Sequence, residues 1–512
     1  MNNSSNSPAI LRLLITYALI VPVAIFLGYL LTNPLDYSTF GFVGVMLVVV
    51  VFPLLLRWHF WLLLFSVNAS IVIFFLKGSP NLWIVTVVLS LGISILDRAL
   101  SPEKRFISVP QITWPLTCLI AVIVFTAKLN GGFGLRVLGS EVMGGKKYVF
   151  VVCAILSFFA FTARRLTPRQ AKWAVMVFFL SGLTWYIGDL YGRAPSGFNY
   201  IFWIFAPTAN NLSLGEVYRL GGVAMASSAV VYFLLARYGI RGIFLSRRLW
   251  RPVAFILFFA LSLYGGYRGR LVGLGLTFWL VFFLEGMHRT KLLPIFGVLG
   301  LLAMVALIPL TPKLPVTIQR TLSFLPLPVS EAVRFDAESS SEWHYDMWQS
   351  VWREQVPKHL LLGKGYAITA EDFLLMGVDT AFRTFDASQQ GLALSADFHN
   401  GWLSVLIPFG IWGLMAFVWF LAAGIWVLYN NYRHGDPALK LVNTFLLALF
   451  LSTVVMFFGE SLSSDMVLFA SLVGFSVSLN GGVSRPIPGP VPRPDPFRLP
   501  RGLMRPGPAF QR

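Results

Sequence analysis

Long apolar runs recur from one end of the chain to the other, and they constrain the fold more than any other feature of the sequence. Each run approaches the roughly 20 residues that an α-helix needs to cross the hydrocarbon core of a bilayer. Inside that core every backbone N–H and C=O must be paired within its own segment, so the spans are helices. We therefore predict an all-α polytopic membrane protein. The composition agrees, because 56% of the 512 residues are hydrophobic and only 12% are charged.

The apolar runs predict about fourteen transmembrane helices. The first run is too long for the apolar region of a signal peptide and lacks a small-residue cleavage site, so it is predicted to be a retained span. An even number of spans places both chain ends on the same side of the membrane. The predicted spans are residues 9–31, 39–56, 60–76, 80–96, 109–128, 148–163, 172–190, 217–236, 250–267, 271–286, 292–310, 401–428, 441–459 and 465–480.

The spans divide the chain into four parts. Residues 1–310 hold the predicted transmembrane helices 1 to 11, and residues 401–480 hold helices 12 to 14. Residues 311–400 form one large outer loop, in which "YDMWQSVWREQV" has apolar and aromatic residues at helical spacing, so we expect short helices there. These tryptophans either rest on the bilayer surface or face a sugar-binding cleft. Residues 481–512 are rich in Pro, Gly and Arg and predict a disordered tail.

The net charge of +18 is a signal of membrane topology. When the loops are assigned to alternate sides, the side of the C-terminus carries +19 and the other side −1. Cytoplasmic loops carry the excess of Lys and Arg, so both termini are predicted to be cytoplasmic and the large loop to lie outside. Nothing in this distribution indicates a nucleic-acid partner. Cys118 and Cys153 both lie inside predicted spans and have no disulfide or metal-site spacing.

Several arginines stand at the outer rim of the predicted spans, against the general charge distribution. They are Arg219 in "VYRLGG" and both Arg268 and Arg270 in "YRGR". The planar guanidinium group binds phosphate oxygens in pairs and stays charged, which suits a lipid diphosphate. The alternative is that these side chains reach from helix ends to lipid headgroups. The glycines around "YRGR" favour the binding site.

His399 and Asn400 stand immediately before the long apolar run "GWLSVLIPFGIWGLMAF". A neutral histidine at this position can accept the proton of a sugar hydroxyl that attacks a donor, so His399 is the candidate general base. The alternative is that the pair only starts the helix, with Asn400 as the N-cap that accepts free backbone N–H groups.

Four segments around these residues resemble the O-antigen ligase and Wzy-type polysaccharide polymerase superfamily of bacterial inner membranes. "RLGGVAMASSAVVYFLLA" looks like the Arg-x-x-Gly segment of that family, and "YRGRLVGLGL" resembles its Ser-Arg-Gly segment. "HYDMWQSVWREQVPKHLLLGKGY" is similar to its Arg-x-x-x-Trp stretch followed by Pro-Leu-x-Gly-x-Gly. "HNGWLSVLIPFGIWGLMAF" resembles its His-Asn signature. The likeness covers residues 219–417 and leaves the first spans unsupported.

Three positions depart from the family pattern. His344 stands where the family often has arginine, Leu360 where it often has proline, and Tyr267 where it has serine. Because the loop arginine is replaced by His344, either Arg334 or Arg353 is expected to take over its share of phosphate binding.

The resemblance implies a periplasmic-face enzyme that transfers a glycan from an undecaprenyl diphosphate carrier to an acceptor hydroxyl. The transfer inverts the anomeric carbon and uses no metal, cofactor or nucleotide sugar. His399 is then the catalytic base, and Arg219, Arg268 and Arg270 bind the diphosphate. The loop residues expected to contact substrate are Arg334, His344, Trp348 and Arg353, and the residues expected to shape the site are Asn400, Gly363 and Gly365.

Four activities remain open at this point. Polymerisation of exopolysaccharide or O-antigen repeat units is preferred, because the chain is long and the span count high for a ligase. Ligation of glycan to lipid A core is second and protein O-glycosylation third. A flippase for lipid-linked glycans is the alternative of another class, but it calls for polar residues along several spans or a repeated half, and neither is visible. The expected partners are the carrier-linked donor, a glycan or lipid-linked acceptor, membrane lipids, and a flippase or chain-length regulator.

Overall fold

The computed structural model describes residues 37–486 except 77, 102, 104, 134–143, 192, 212–217 and 368–397, with a few positions between 17 and 32. The predicted span 9–31 and the predicted tail beyond residue 486 therefore lie largely outside the described residues. The regular secondary structure of the described residues is helical, apart from one antiparallel sheet of two three-residue strands and an isolated bridge. The all-α class predicted from the sequence is confirmed.

The described residues form fourteen helices longer than one turn, numbered here in chain order. They are α1 (Tyr37–Ser66), α2 (Leu82–Leu100), α3 (Pro110–Leu129), α4 (Gly145–Thr162), α5 (Pro168–Leu180), α6 (Gly221–Phe244), α7 (Trp250–Ser262), α8 (Arg268–Leu284), α9 (Leu292–Leu310), α10 (Val316–Leu322), α11 (Glu331–Glu354), α12 (Gly401–His434), α13 (Lys440–Met456) and α14 (Leu462–Asn480). One-turn helices occupy Trp185–Gly188, Ile201–Ile204 and Val356–His359, and the strands are β1 (Ala209–Asn211) and β2 (Tyr218–Leu220).

Eight helical segments of the described residues are long and apolar enough to cross a membrane. Two shorter apolar helices, Trp250–Gly265 and Asp465–Asn480, accompany them. The predicted polytopic membrane protein is thus confirmed at this level. The eight segments are Leu82–Leu100, Pro110–Leu129, Gly145–Thr162, Pro168–Gly188, Gly221–Phe244, Leu292–Lys313, Gly401–His434 and Pro437–Gly459.

The prediction of two spans at 39–56 and 60–76 is wrong, because α1 runs without interruption from Tyr37 to Ser66. The polar residues between the two predicted spans, Arg57 to His59, do not break a helix. The chain leaves the helix only after Ser66. One helix replaces two predicted spans, so the number of predicted spans is no longer even. The inference that both termini lie on the same side of the membrane therefore no longer holds.

The predicted span 401–428 contains a break that the sequence analysis did not anticipate. Gly410 has non-helical backbone angles (φ 65°, ψ −169°) inside α12, two residues after Pro408. Proline has no N–H to donate, and glycine takes a positive φ at little cost, so this pair favours an interruption. The N–H of Ile411, just beyond it, donates to the carbonyl of Leu360 at 2.7 Å.

The core is built by close packing of α4, α12, α13 and α14. Gly474 of α14 lets the helices approach, because a Cβ there would lie 2.8 Å from the Cβ of Phe161. The rings of Phe178 and Phe475 stack with centroids 4.8 Å apart. This packing fixes the ends of the helices, and the starts of α8 and α12 meet the segment that contains α10 and α11.

The described part of the predicted large loop, residues 311–367, contains α10, α11 and the one-turn helix Val356–His359. Helices in this loop were predicted and are confirmed, although α11 has 24 residues and is not short. Thr321 Oγ1 in α10 donates to the carbonyl of Leu263 at 2.7 Å. The loop is therefore bound to the ends of the apolar helices. Its residues 368–397 lie outside the described part of the chain.

Candidate functional site

His399 lies between two anchored neighbours at the start of α12. Asn400 Oδ1 accepts hydrogen bonds from the N–H groups of Trp402 at 3.1 Å and Leu403 at 3.2 Å, which confirms Asn400 as the N-cap. On the other side Phe398 is fully buried, and its carbonyl accepts a hydrogen bond from Trp348 Nε1 at 2.9 Å. The backbone on both sides of His399 is thus held in place.

The backbone of His399 has a left-handed conformation, with φ +42°. Among the described residues, Ser79 is the only other non-glycine residue with a positive φ. Such a conformation is costly for a residue with a side chain and persists only where the surroundings fix it, as the neighbours of His399 do. The His399 side chain is exposed, so the constraint presents the imidazole outward.

The exposed ring of His399 contacts an aromatic group on α11. The His344 ring lies edge-to-face against it with centroids 5.4 Å apart, and the Trp343 ring is 6.3 Å away. Trp348 lies behind His344 at 5.9 Å. His344 and Trp348, which were predicted to contact substrate, therefore lie beside the candidate base, and their contact with substrate stays a prediction.

His344 does not supply a positive charge to this site at neutral pH. Burial, followed by the neighbouring His399 and Arg268, lowers the pKa of His344 to about 4. Its Nδ1 is buried and has no hydrogen-bond partner among the described residues. His344 therefore places a neutral ring, and not a cation, against His399.

Arg268 and Arg219 approach the same region from two separate elements. Arg268 begins α8, and its Nη1 donates to Ser341 Oγ of α11 at 3.2 Å. Arg219, in β2, lies over the Tyr267 ring at 5.5 Å from its centroid. Burial, and then the charge of Arg320, lower the pKa of Arg219 from its usual value. Two predicted diphosphate ligands therefore lie in one positively charged cluster.

Arg320 is the third guanidinium group of this cluster, and the sequence analysis missed it. It lies on α10 and is buried, its Nη1 donates to the carbonyl of Gly266 at 2.7 Å, and its Nε pairs with the carboxylate of Asp336. The sequence offered no local signal for it, because Arg320 stands two residues after Ile318 and two before Leu322, on the helix face opposite to that apolar pair. We name Arg219, Arg268, Arg320 and Asp336 the arginine cluster.

An open cleft of about 760 Å³ adjoins the arginine cluster. Arg268 lines it together with Arg334, Glu338, Ser341 and Glu342 of α11. Its remaining walls are largely apolar and come from the end of α9 and the segment after α10. Arg334, which was predicted as a loop ligand, therefore shares a cleft with Arg268, whereas the two glutamates balance part of its charge.

Arg270 does not join Arg268, although both were predicted to bind the diphosphate. Two residues along an α-helix point about 200° apart, so the two side chains leave α8 on different faces. Arg270 is close enough to act electrostatically on Tyr232 of α6 and Asp465 of α14. Its Nε is buried and lacks a hydrogen-bond partner among the described residues. Arg270 thus faces the helical bundle.

Arg353 is the second predicted residue that the structure does not bring to the site. It is exposed in the last turn of α11, and 19 residues separate it from Arg334 in the same helix. At 1.5 Å per residue this separation is about 28 Å. Arg334 and Arg353 were the two arginines expected to take over the phosphate binding that His344 does not provide. Only Arg334 lines the cleft.

Gly363 and Gly365, which were predicted to shape the site, lie against the break in α12. Both have positive φ, and a Cβ on Gly363 would lie 2.3 Å from the carbonyl oxygen of Pro408. The intervening Lys364 N–H donates to the carbonyl of Ile407 at 2.8 Å, and the Gly365 N–H donates to that of Pro408 at 2.9 Å. The two glycines therefore join the loop to the break in α12, and no contact of theirs with His399 or the arginine cluster is seen among the described residues.

No protein-family model matches this chain, and no curated protein matches it. Within the part of the chain that the structure describes, no group of three or more His, Cys, Asp or Glu residues is placed to hold a metal ion. The features of the molecule that bear on its function are the exposed imidazole of His399, the arginine cluster and the cleft.

Proposed function

We propose that the protein transfers a glycan from an undecaprenyl diphosphate carrier to an acceptor hydroxyl group. The observation that carries this proposal is the convergence of an exposed, conformationally fixed histidine and an arginine cluster at one end of an apolar helical bundle. A general base and an anion-binding group are the two parts that such a transfer needs.

His399 and the arginines have separate roles in the reaction. The acceptor oxygen attacks the anomeric carbon of the donor, and the bond from that carbon to the diphosphate oxygen breaks. His399 takes the hydroxyl proton, and the carrier leaves as undecaprenyl diphosphate with the bonding electron pair. Arg268 and Arg219 stabilise the negative charge that develops on the departing oxygen. Attack opposite to the leaving group inverts the anomeric carbon.

The neutral state of His344 supports His399 as the base. Two imidazoles whose centroids are 5.4 Å apart repel each other when both carry a proton. With the pKa of His344 held at about 4, His344 stays uncharged at neutral pH, and only His399 takes up the proton of the reaction. The His344 ring then acts as a support for the base.

The active face is proposed to be periplasmic, in a bacterial inner membrane. Lys and Arg residues concentrate on the loops that alternate with those of the site, and cytoplasmic loops carry such an excess. The carrier exposes its glycan on the periplasmic side in this scheme. The C-terminal segment is then cytoplasmic, and reporter fusions at Gly482 and within residues 338–342 test the two sides independently.

Within this activity we propose polymerisation of glycan repeat units, with ligation to lipid A core as the alternative acceptor chemistry. The test is incubation of the purified protein with purified lipid-linked repeat units. A ladder of carrier-linked products supports polymerisation, and a single added glycan on lipid A core supports ligation. Unchanged donor in both mixtures contradicts the proposed transfer.

One observation favours a second candidate, a flippase for lipid-linked glycans. Asp465 of α14 is a buried ionisable residue, and Arg270 of α8, whose Nε is buried, acts on it electrostatically. Ionisable residues within a membrane bundle often mark transport pathways. The two candidates are separated in sealed vesicles that contain a fluorescent lipid-linked glycan. Movement of the lipid across the bilayer without any covalent product supports the flippase.

A further inference from the structure

Helix α9 contacts the rest of the described protein only near its two ends. At its start the Phe296 ring packs against Phe244, Phe278 and Phe282, with centroid distances of 5.5, 6.0 and 5.6 Å. At its end Leu307 packs against the small apolar cluster that α10 contributes. The helix is thus fixed at two points, 11 residues or about 17 Å apart.

Between these two points a stretch of α9 is exposed on every face, and Met304, next to Leu307, is the one partly buried residue of the interval. Residues 297–303 are all exposed, and seven consecutive residues turn an α-helix almost twice, so every direction around the axis is represented. None of the residues of α9 is buried against the described chain, whereas each of the other seven candidate spans has between 33% and 61% of its apolar window buried. A helix at the edge of a bundle normally packs one face on its neighbours, and α9 does not.

The wall opposite to this segment is α8. Leu271, Gly275 and Phe278 follow one another on one face of that helix, at a spacing of four and then three residues. Leu271 packs on the same apolar cluster as Leu307, and Phe278 packs on Phe296, yet a Cβ on Gly275 would have no described atom within 4 Å. The same holds for Gly297 and Gly300 of α9. We name this gap the α8–α9 window.

The window opens directly below the arginine cluster. Arg268 lies seven residues before Gly275 in α8, which is the spacing of one helix face. The cleft that Arg268 lines is also lined by Ile308, near the end of α9. An amphipathic ligand whose anionic head binds Arg268 therefore has its apolar part at the opening of the window.

We propose that the α8–α9 window receives the polyprenyl tail of the diphosphate carrier, an inference that rests on the proposed function. The charge at one end and the apolar walls below it match a lipid with a diphosphate head and a long hydrocarbon chain. Bulk phospholipid, a second copy of the protein and another segment of this chain are the competing occupants, and the experiments below distinguish them.

The first experiment places a photo-reactive residue at Ala303, which lies on the face of α9 that Phe296 and Leu307 share, and, as a matched control, at Val88 of α2. Both positions are exposed. In membranes with radiolabelled lipid-linked glycan, we expect at least several-fold more carrier cross-linked at Ala303 than at Val88, and excess undecaprenyl diphosphate should suppress that signal. Equal labelling at both positions, insensitivity to this competitor, or cross-links to protein overturns the proposal.

The second experiment fills the window. Gly275→Phe introduces a ring where the Cβ has open space, and Gly92→Phe in α2 is the matched control, since its Cβ is equally free. Gly275→Phe should raise KM at least tenfold for the undecaprenyl donor and leave KM for a donor with a short prenyl chain nearly unchanged. Gly92→Phe should change neither value.

The two proposals fail in different ways. Turnover of the long-chain donor by the unmodified protein, combined with equal effects of Gly275→Phe on both chain lengths, overturns the window and leaves the glycan transfer standing. Absence of turnover by the unmodified protein counts against the transfer, while competed cross-linking at Ala303 then still supports binding of the lipid tail in the window.

Discussion

The starts of α8 and α12 lie at the same end of the bundle, and each carries two polar residues close together in the sequence. At α12 the structure exposes the His399 side chain and uses Asn400 as the helix cap. At α8 it directs Arg268 toward the cleft and Arg270 toward the interior. In both regions, neighbours that belong to one sequence motif have different roles.

The two regions separate their residues by different physical means. At α12 the separation follows from the cap, because Asn400 has extended backbone and its side chain turns toward the first N–H groups, whereas His399 is left-handed. At α8 both arginines are already helical, and the rotation of about 100° per residue alone directs them apart. The side chains of one motif at a helix start therefore point in different directions, and only some of them face the site.

The largest expected effect is that of His399→Ala. Removal of a general base typically costs about 10²–10⁴ in rate, so this variant should lose glycan transfer. Its thermal stability should stay close to that of the unmodified protein, because the side chain is exposed. The measurement is the initial rate with purified lipid-linked donor, together with a melting curve and donor binding.

Wild-type turnover by His399→Ala would assign the proton transfer to another residue. The nearest acidic candidates in the sequence are Asp346, which is exposed on α11, and Asp397, which lies outside the described residues. Loss of donor binding together with loss of transfer would point instead to a structural role for His399.

The next largest effect is expected at Arg268. Loss of one group that stabilises developing negative charge costs about 10²–10³ in rate. Lysine keeps the charge but cannot form the paired hydrogen bonds of a guanidinium group, so Arg268→Lys should recover only a small part of the activity that Arg268→Ala loses. The measurement is kcat for both variants in the same donor assay.

Arg270 provides the internal comparison for this prediction. Because Arg270 faces Asp465 and not the cleft, Arg270→Lys should retain transfer, and Arg270→Met should at most change the melting temperature, because a charge that acts on Asp465 is lost. The exposed Arg353→Ala should affect neither property. If Arg270→Lys reduces kcat as strongly as Arg268→Lys, the division of roles at the start of α8 is wrong.

A smaller effect is expected from Asn400→Ala, which removes the cap of α12. The cost of losing such a cap is about 1 kcal/mol of stability. Transfer should remain measurable, since the imidazole of His399 is still present. Chemical denaturation in detergent measures the stability, and Asn400→Asp, which retains the acceptor oxygen, should restore it. A rate loss as large as that of His399→Ala would show that Asn400 acts in the reaction.

The sequence was sufficient to predict the helical class, the helix in the large loop and the cap at Asn400, because each depends on local patterns of polarity and spacing. It was not sufficient for the division between Arg268 and Arg270, which depends on which helices pack against each face of α8. Arg320 was missed because its importance comes from contacts with Gly266 and Asp336, distant in the sequence.

The break in α12 shows the same limit in another form. Pro408 and Gly410 were visible in the sequence, but each is tolerated inside a membrane helix when other groups satisfy the free backbone. What makes the break stable here is the pairing of this segment with residues 360–365 of the loop. That pairing joins positions more than forty residues apart, and no local pattern reveals it.

The smallest expected effect concerns the pH dependence of stability through His344. Its pKa is lowered from 6.5 to about 4 in the folded protein, mainly by burial. Between these two values the unfolded chain binds a proton that the folded protein does not bind, so the free energy of unfolding should fall as the pH is lowered from 6.5 to 4. Above 6.5 and below 4 this contribution should be constant. The full shift is not expected to appear, because His344 is only half-buried and water screens its surroundings.

His344→Gln isolates this contribution, since glutamine keeps hydrogen-bonding groups and does not titrate. The melting temperature of the unmodified protein minus that of His344→Gln should be smaller at pH 4 than at pH 7, because only the histidine protein loses this stability on acidification. Other groups that titrate in this range, such as His359, are present in both proteins and cancel in the difference. A constant difference across the whole range would mean that His344 is protonated at the same pH in both states. The ring could then carry a charge beside His399 near neutral pH, and the separation of the two histidines into a neutral support and a proton acceptor would be lost.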